Sequence, residues 1–146
     1  MTTQIIPFNN DTHRQAVMHL WTEVFGYETP RNAPDLVIDK KLAVDDGLFF
    51  VAEEGGRVVG TIMAGYDGHR GWIYALAVHP DHRQRGIGSR LLARAEQALT
   101  ARGCVKVNLQ ILADNAAVQA FYEARGYAAE ARLSMGKRIP ENIKRR

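Results

Sequence analysis

A chain of 146 residues has room for one domain with a single sizeable core, here expected to span residues 1–146 with 139–146 as a frayed tail. Its 46% hydrophobic and 24% charged residues are ordinary for a soluble globular protein, and no apolar run approaches the ~20 residues of a transmembrane helix. The N-terminus lacks the basic-then-apolar layout of a signal peptide, and Cys104, the only cysteine, rules out an internal disulfide, which suits a reducing cytoplasm.

In chain order, Gln4 to Phe8 predicts a first strand. Asn10 or Asp11 can cap a helix whose Val17, Leu20, Trp21 and Val24 share one face, so Trp21 reads as core packing. Phe25 to Pro34 is a loop, both polar and aromatic, that suits a substrate lip as well as an ordinary connection. Asp35 to Val44 predicts a second helix. Leu48 to Ala52 is a strand, Glu54-Gly55-Gly56-Arg57 a hairpin turn, and Val58 to Tyr66 the partner strand. After the turn Asp67–Gly71, Trp72 to Val78 is a further strand. The long helix that follows ends at Arg102-Gly103, a terminal cation and a glycine stop. Val105 to Ile111 alternates as a strand with one buried face. Asp114 or Asn115 starts the next helix, Gly126 ends it, and Tyr127 to Lys137 predicts a last strand. The order β-α-α-β-β-β-α-β-α-β is that of a mixed α+β sheet.

The stretch Arg83-Gln84-Arg85-Gly86-Ile87-Gly88-Ser89 joins a strand to a helix. Helix-initial N–H groups lack partners within the helix and carry its positive dipole end. Beside Arg83 and Arg85 they suit a phosphate or pyrophosphate, although the same residues also read as a solvated helix start. Leu91 stands where a dinucleotide fingerprint needs a third small residue, and no Gly-Lys-Ser/Thr follows. The net charge of +3 is divided between this turn (with Arg90 and Arg94) and the C-terminus, without the interleaved aromatics of a nucleic-acid surface.

The run from Val78-His79-Pro80 to Gly86-Ile87-Gly88 resembles the acetyl-CoA signature of the GCN5-related N-acetyltransferase (GNAT) superfamily, Arg/Gln-x-x-Gly-x-Gly/Ala after a strand ending in Val-x-Pro. A second segment, Asn115 through Ala120, Tyr122 and Gly126-Tyr127, is similar to that family's Asn-x-x-Ala-x-x-x-Tyr-x-x-x-Gly-Phe/Tyr. The Tyr66–Gly71 loop resembles small bacterial acetyltransferases of the YpeA type. The resemblance implies a GNAT-like, mostly antiparallel sheet flanked by helices. It also implies acetyl transfer from acetyl-CoA to an amine by direct attack, without an acyl-enzyme.

Carried over residue by residue, the motif places pyrophosphate on Arg83, Gln84, Arg85, Gly86, Ile87, Gly88 and Ser89, with Asn115 and Tyr122 as further cofactor contacts. The family's splayed strand would leave backbone groups of Leu76 and Val78 for the pantetheine arm, and the Leu76 N–H is the candidate donor to the thioester oxygen. Tyr122 falls on the general-acid tyrosine and would protonate the departing thiolate, although beside Phe121 and Tyr127 it also reads as core. Histone-acetylating relatives carry a glutamate where this chain has Trp72, so the base stays open among Glu28, Asp67, His69, Tyr74 and water. Tyr27, Glu28 and Trp72 are the candidate substrate contacts. No nucleophilic serine elbow is present, since Ser89 and Ser134 are the only serines. His79 and His82 do not call for a metal, because the expected chemistry needs none. The expected partner is a small-molecule amine, with no nucleic acid or membrane and with a homodimer as an option. A protein N-terminus or lysine is the alternative acceptor, and a non-catalytic CoA-binding module is the alternative class.

Overall fold

Strand β1 (Thr3–Pro7) pairs antiparallel with β2 (Phe49–Glu54), and β2 forms a hairpin with β3 (Arg57–Tyr66), which pairs antiparallel with β4 (Gly71–Val78). This computed structural model describes residues 2–26 and 32–140. It divides into two compact units, Met1–Gln110 and Ile111–Arg146. The first holds the whole five-stranded sheet, in the order β1-β2-β3-β4-β5. Its last strand, β5 (Val107–Leu109), runs parallel to β4, a pairing that requires a crossover, here the helix α3 (Ile87–Ala101). Three antiparallel pairings and one parallel pairing give the mixed, mostly antiparallel sheet anticipated from the sequence.

Two helices lie on one face of this sheet. α1 (Asn10–Val24) is capped one residue before the expected positions, by Asn9, whose side chain accepts from the N–H groups of Asp11 and Thr12 at 2.9 and 3.2 Å. α2 (Pro34–Val44) begins on a proline, whose missing N–H costs nothing in the first turn. Val17, Leu20 and Trp21 from α1 and Ile38 from α2 pack on Phe49, Val51, Met63 and Ala77. Helix α3 covers the other face with Ile87, Leu91, Leu92, Ala95 and Leu99, all buried. Each of the buried leucines and Ile87 stabilises the fold by about 1.5–3 kcal/mol through burial. Gly60 lets α3 come close: a Cβ there would stand 2.9 Å from Leu91 Cδ1 and 3.4 Å from Ile87 Cγ2. Cys104 is buried and unpaired. Among the described residues no helix is long and apolar enough to cross a membrane.

Two expected strands require correction. The strand over 105–111 shrinks to β5, which pairs with β4 only at Gly71–Ile73 and leaves the rest of that edge of β4 without a described strand. The last strand, over Tyr127 to Lys137, does not form. Leu133 and Met135 do alternate there, but both are exposed, and the Arg132 N–H bonds locally to the Glu130 carbonyl instead of to a neighbouring strand. The observed order therefore stops at α4 (Ala116–Glu123), the helix of the second unit. Residues 141–146 of the expected tail lie outside the described residues.

Candidate active site

The edge of β4 that faces β5 is paired only at Gly71, Trp72 and Ile73. From Tyr74 to Val78 no described strand lies against it. The other edge carries a bulge. Thr61 pairs with Ala77 and Met63 with Tyr74, so Ala75 and Leu76 together face the single residue Ile62. Ala75 takes φ of 55°, a left-handed conformation that costs an alanine about 1–2 kcal/mol. Beyond the bulge, the His79 N–H donates to the Val59 carbonyl at 2.8 Å across the Val78–Gly60 pair. That geometry turns the N–H and C=O of Val78 away from β3, toward the open edge. The Val78 carbonyl is not left vacant: Arg83 Nε donates to it at 3.0 Å.

The strand then runs into the glycine turn. His79 caps a short 3-10 turn, Pro80–His82, by accepting from the Asp81 N–H through Nδ1 at 3.1 Å. Gln84 and Gly86 are both left-handed, at φ of 61° and 79°. Gly86 is the N-cap of α3, where glycine adopts this conformation without a Cβ penalty. No side chain caps the helix and no acidic residue sits in its first turn. Gly88 and Ser89 follow Ile87 inside that turn, so the stretch singled out in the sequence is a strand–turn–helix junction with a positive helix end.

The arginines of the turn bond mainly to the protein. Arg85 reaches back to the end of β2, donating to both carboxylate oxygens of Glu54 at 3.3 and 2.6 Å. Thr3 Oγ1 donates to the same carboxylate at 2.7 Å, and His82 Nε2 lies 3.6 Å from it. The Thr3 hydrogen bond, then that of Arg85, hold the Glu54 carboxyl below the usual glutamate range, against the opposing effect of burial. Arg94 lies over the Phe50 ring, 4.4 Å from its centroid. Sequence reasoning missed Glu54 and read it as part of a hairpin turn. A depressed folded-state pKa contributes stability above the unfolded value of about 4.3, and that contribution is lost as pH falls through the folded value. Acid titration should therefore lower the melting temperature of the wild type more steeply than that of Glu54→Gln, and parallel curves below pH 5 would dismiss the pair as a clamp on the turn.

The opposite side of β4 presents Trp72 and Tyr74, half-buried and exposed respectively. The Lys41 ammonium of α2 is buried; it donates to Asp46 at 2.9 Å and to the Tyr74 hydroxyl at 3.3 Å. Trp72 Nε1 lies 3.4 Å from Asp67, whose other oxygen accepts from the N–H groups of Arg70 and His69, both at 2.7 Å. Those two bonds, that of Arg70 first, push the Asp67 pKa down, which makes it a poor proton acceptor. His69 is exposed. Tyr27 and Glu28 lie outside the described residues.

In the second unit Asn115 caps α4, its side-chain oxygen accepting from the Val118 N–H at 3.2 Å. Tyr122 is buried, with Phe121 and Tyr127 edge-on at 5.1 and 5.5 Å between centroids. Burial pushes its pKa up to about 12, so the phenol keeps its proton at neutral pH. Among the described residues no group of three or more His, Cys, Asp or Glu could hold a metal ion. The expected site residues thus fall into two sets, with Leu76, Val78 and Arg83–Ser89 on one continuous stretch of the first unit and Asn115 and Tyr122 on α4.

Comparison with known proteins gives a consistent result. A sequence model of the acetyltransferase (GNAT) family matches residues 14–127. An acetyltransferase of Sodalis glossinidius (strain morsitans), SG1711, is 46% identical over 140 residues, covering 95% of this chain and 97% of the relative. Among solved structures, the aminoglycoside acetyltransferase AAC(6')-Iy, in complex with a CoA-linked bisubstrate analogue, superposes with a TM-score of 0.77 at 18% identity, over 96% of this chain and 100% of its own. Ard1 from Thermoplasma volcanium gives the same TM-score at 24% identity, over 90% of this chain and 86% of its own.

Proposed function

The chain belongs to the acetyltransferase (GNAT) family, and on that premise we propose that it moves an acetyl group from acetyl-CoA to a primary amine of a small molecule by direct attack. The observation that carries this reading is the single stretch from Tyr74 to Ser89. It combines an open strand edge, a bulge and an uncapped helix end in the order that an extended thioester cofactor requires. In this reading the N–H groups of Arg83–Ser89 take the pyrophosphate, and the Val78 N–H and Leu76 take the pantetheine amides. The Leu76 N–H donates to the thioester oxygen as it gains negative charge. The amine nitrogen bonds to the carbonyl carbon, the C–S bond breaks, and Tyr122 gives its proton to the leaving thiolate. Asn115 supports that step by starting the helix that carries Tyr122.

Trp72 and Tyr74 supply an aromatic surface beside the bulge on which a compact amine can rest. Asp67 is the weakest candidate for the base, which leaves Tyr74, His69, Glu28 or water to take the amine proton. Cys104, buried and unpaired, suits a cytoplasmic enzyme. A thiol-release screen with acetyl-CoA against polyamines, amino acids, aminoglycosides and short peptides tests the assignment. Turnover confined to peptides would move it to a protein acceptor, and CoA binding without any turnover would make the chain a binding module. With an accepted amine, kcat/KM should rise between pH 6 and pH 9, because only the neutral amine attacks. A flat profile with chemistry rate-limiting would count against direct attack.

A further inference from the structure

Thr61 sits in the middle of β3 with no exposed surface, where a hydroxyl must find partners within the protein. It has two. Trp21 Nε1 of α1 donates to Thr61 Oγ1 at 2.8 Å, and Thr61 Oγ1 donates to the carbonyl oxygen of Ala75 at 2.9 Å. Trp21 is itself buried, so the chain indole–hydroxyl–carbonyl runs through the core with its direction set: the indole N–H can only donate, and the hydroxyl has one proton to pass on. It ends on the left-handed residue of the β4 bulge.

The Ala75 carbonyl and the Leu76 N–H belong to one peptide group. That group is planar and trans, so the two bonds point in opposite directions. Holding the carbonyl toward Thr61 therefore aims the Leu76 N–H away from Thr61. The hydrogen bond also polarises the peptide, which strengthens its N–H as a donor. We infer that Thr61, backed by Trp21, is a positioning residue for acetyl transfer, fixing the Ala75–Leu76 peptide so that the Leu76 N–H meets the thioester oxygen. This rests on the assignment of Leu76 given above.

The test uses Thr61→Val, Thr61→Ser and Trp21→Phe, each measured for melting temperature, CoA affinity, kcat and the carbonyl stretch of bound, carbonyl-labelled acetyl-CoA without acceptor. In the wild type the stretch should lie below that of free acetyl-CoA. Thr61→Val should return it toward the free value and lower kcat about 10- to 100-fold, less than the ~10²–10³-fold that follows complete loss of such a donor. CoA affinity should be unchanged and Thr61→Ser should restore both readouts. Trp21→Phe keeps the Thr61–Ala75 bond and should give a smaller shift in the same direction, which decides the matter even if Thr61→Val does not fold. A lowered melting temperature with wild-type kcat and carbonyl stretch in the folded variants would overturn the inference while leaving Leu76 in its role. A wild-type stretch equal to that of free acetyl-CoA would overturn the Leu76 assignment and this inference with it.

Discussion

The Gly86→Val protein is expected to keep its fold and lose measurable CoA binding. Gly86 is left-handed at φ of 79°, and an added Cβ would meet nothing within 4 Å. A Cβ there creates no internal clash; the cost to the fold is chiefly the conformational penalty of about 1–2 kcal/mol for an L residue in that region. Ile87, Leu91 and Leu92 remain to hold α3 on the sheet. The open space beside Gly86 is where phosphate would approach the first N–H groups of the helix under the proposed function, and a valine there stands in its way. Gly86→Asn separates the two effects, because asparagine tolerates the left-handed region yet still carries a side chain. Calorimetry with CoA should show weak or absent binding for both variants, while only Gly86→Val shows the lower melting temperature. Wild-type CoA affinity in folded Gly86→Val would remove the turn from the cofactor site.

The junction around Gly86 could be read from the sequence because each of its parts has a local signature: an apolar run, a pair of glycines, and the 3.6-residue spacing of Leu91, Leu92, Ala95 and Leu99. Asn115 could be read for the same reason, since a short polar side chain before an apolar helix is itself the cap. The bulge could not. Trp72 to Val78 looks like a uniform strand, and the left-handed residue is Ala75, which carries no sign of its conformation. The carbonyl of that residue accepts from Thr61 on another strand, a contact that no local pattern around Ala75 announces. The Glu54–Arg85 pair was hidden by distance, two residues 31 apart that meet only because β2 ends where the turn begins. Trp21 was placed correctly in the core, but its indole hydrogen bond depends on what stands opposite on β3. The shortened β5 and the missing strand over Tyr127 to Lys137 show the same limit: alternation marks a segment that suits a strand, whereas only a ladder with a neighbouring strand makes it one.

Tyr122→Phe should lower kcat by about 10²–10⁴-fold, the usual contribution of a positioned general acid, and leave CoA affinity nearly unchanged. The substitution keeps the ring, and with it the edge-on packing against Phe121 and Tyr127. Only the hydroxyl is lost. With its pKa raised to about 12 by burial, that hydroxyl is protonated throughout the range in which an amine acceptor is assayed, so it can donate to a thiolate but cannot serve as the base. Its own titration should then produce no falling limb in the rate between pH 6 and pH 9. The raised pKa also has a consequence for stability. The folded protein holds the proton more tightly than the unfolded chain, whose tyrosine titrates near 10, so this contribution is complete below pH 10 and is lost as pH rises toward 12. Tyr122→Phe should flatten that alkaline decline in melting temperature. A core residue with no part in the chemistry would show the flattened decline alone. Measuring kcat and the alkaline melting curve on one sample therefore distinguishes the two roles: wild-type turnover in the folded variant would remove Tyr122 from the acid step and leave it as packing.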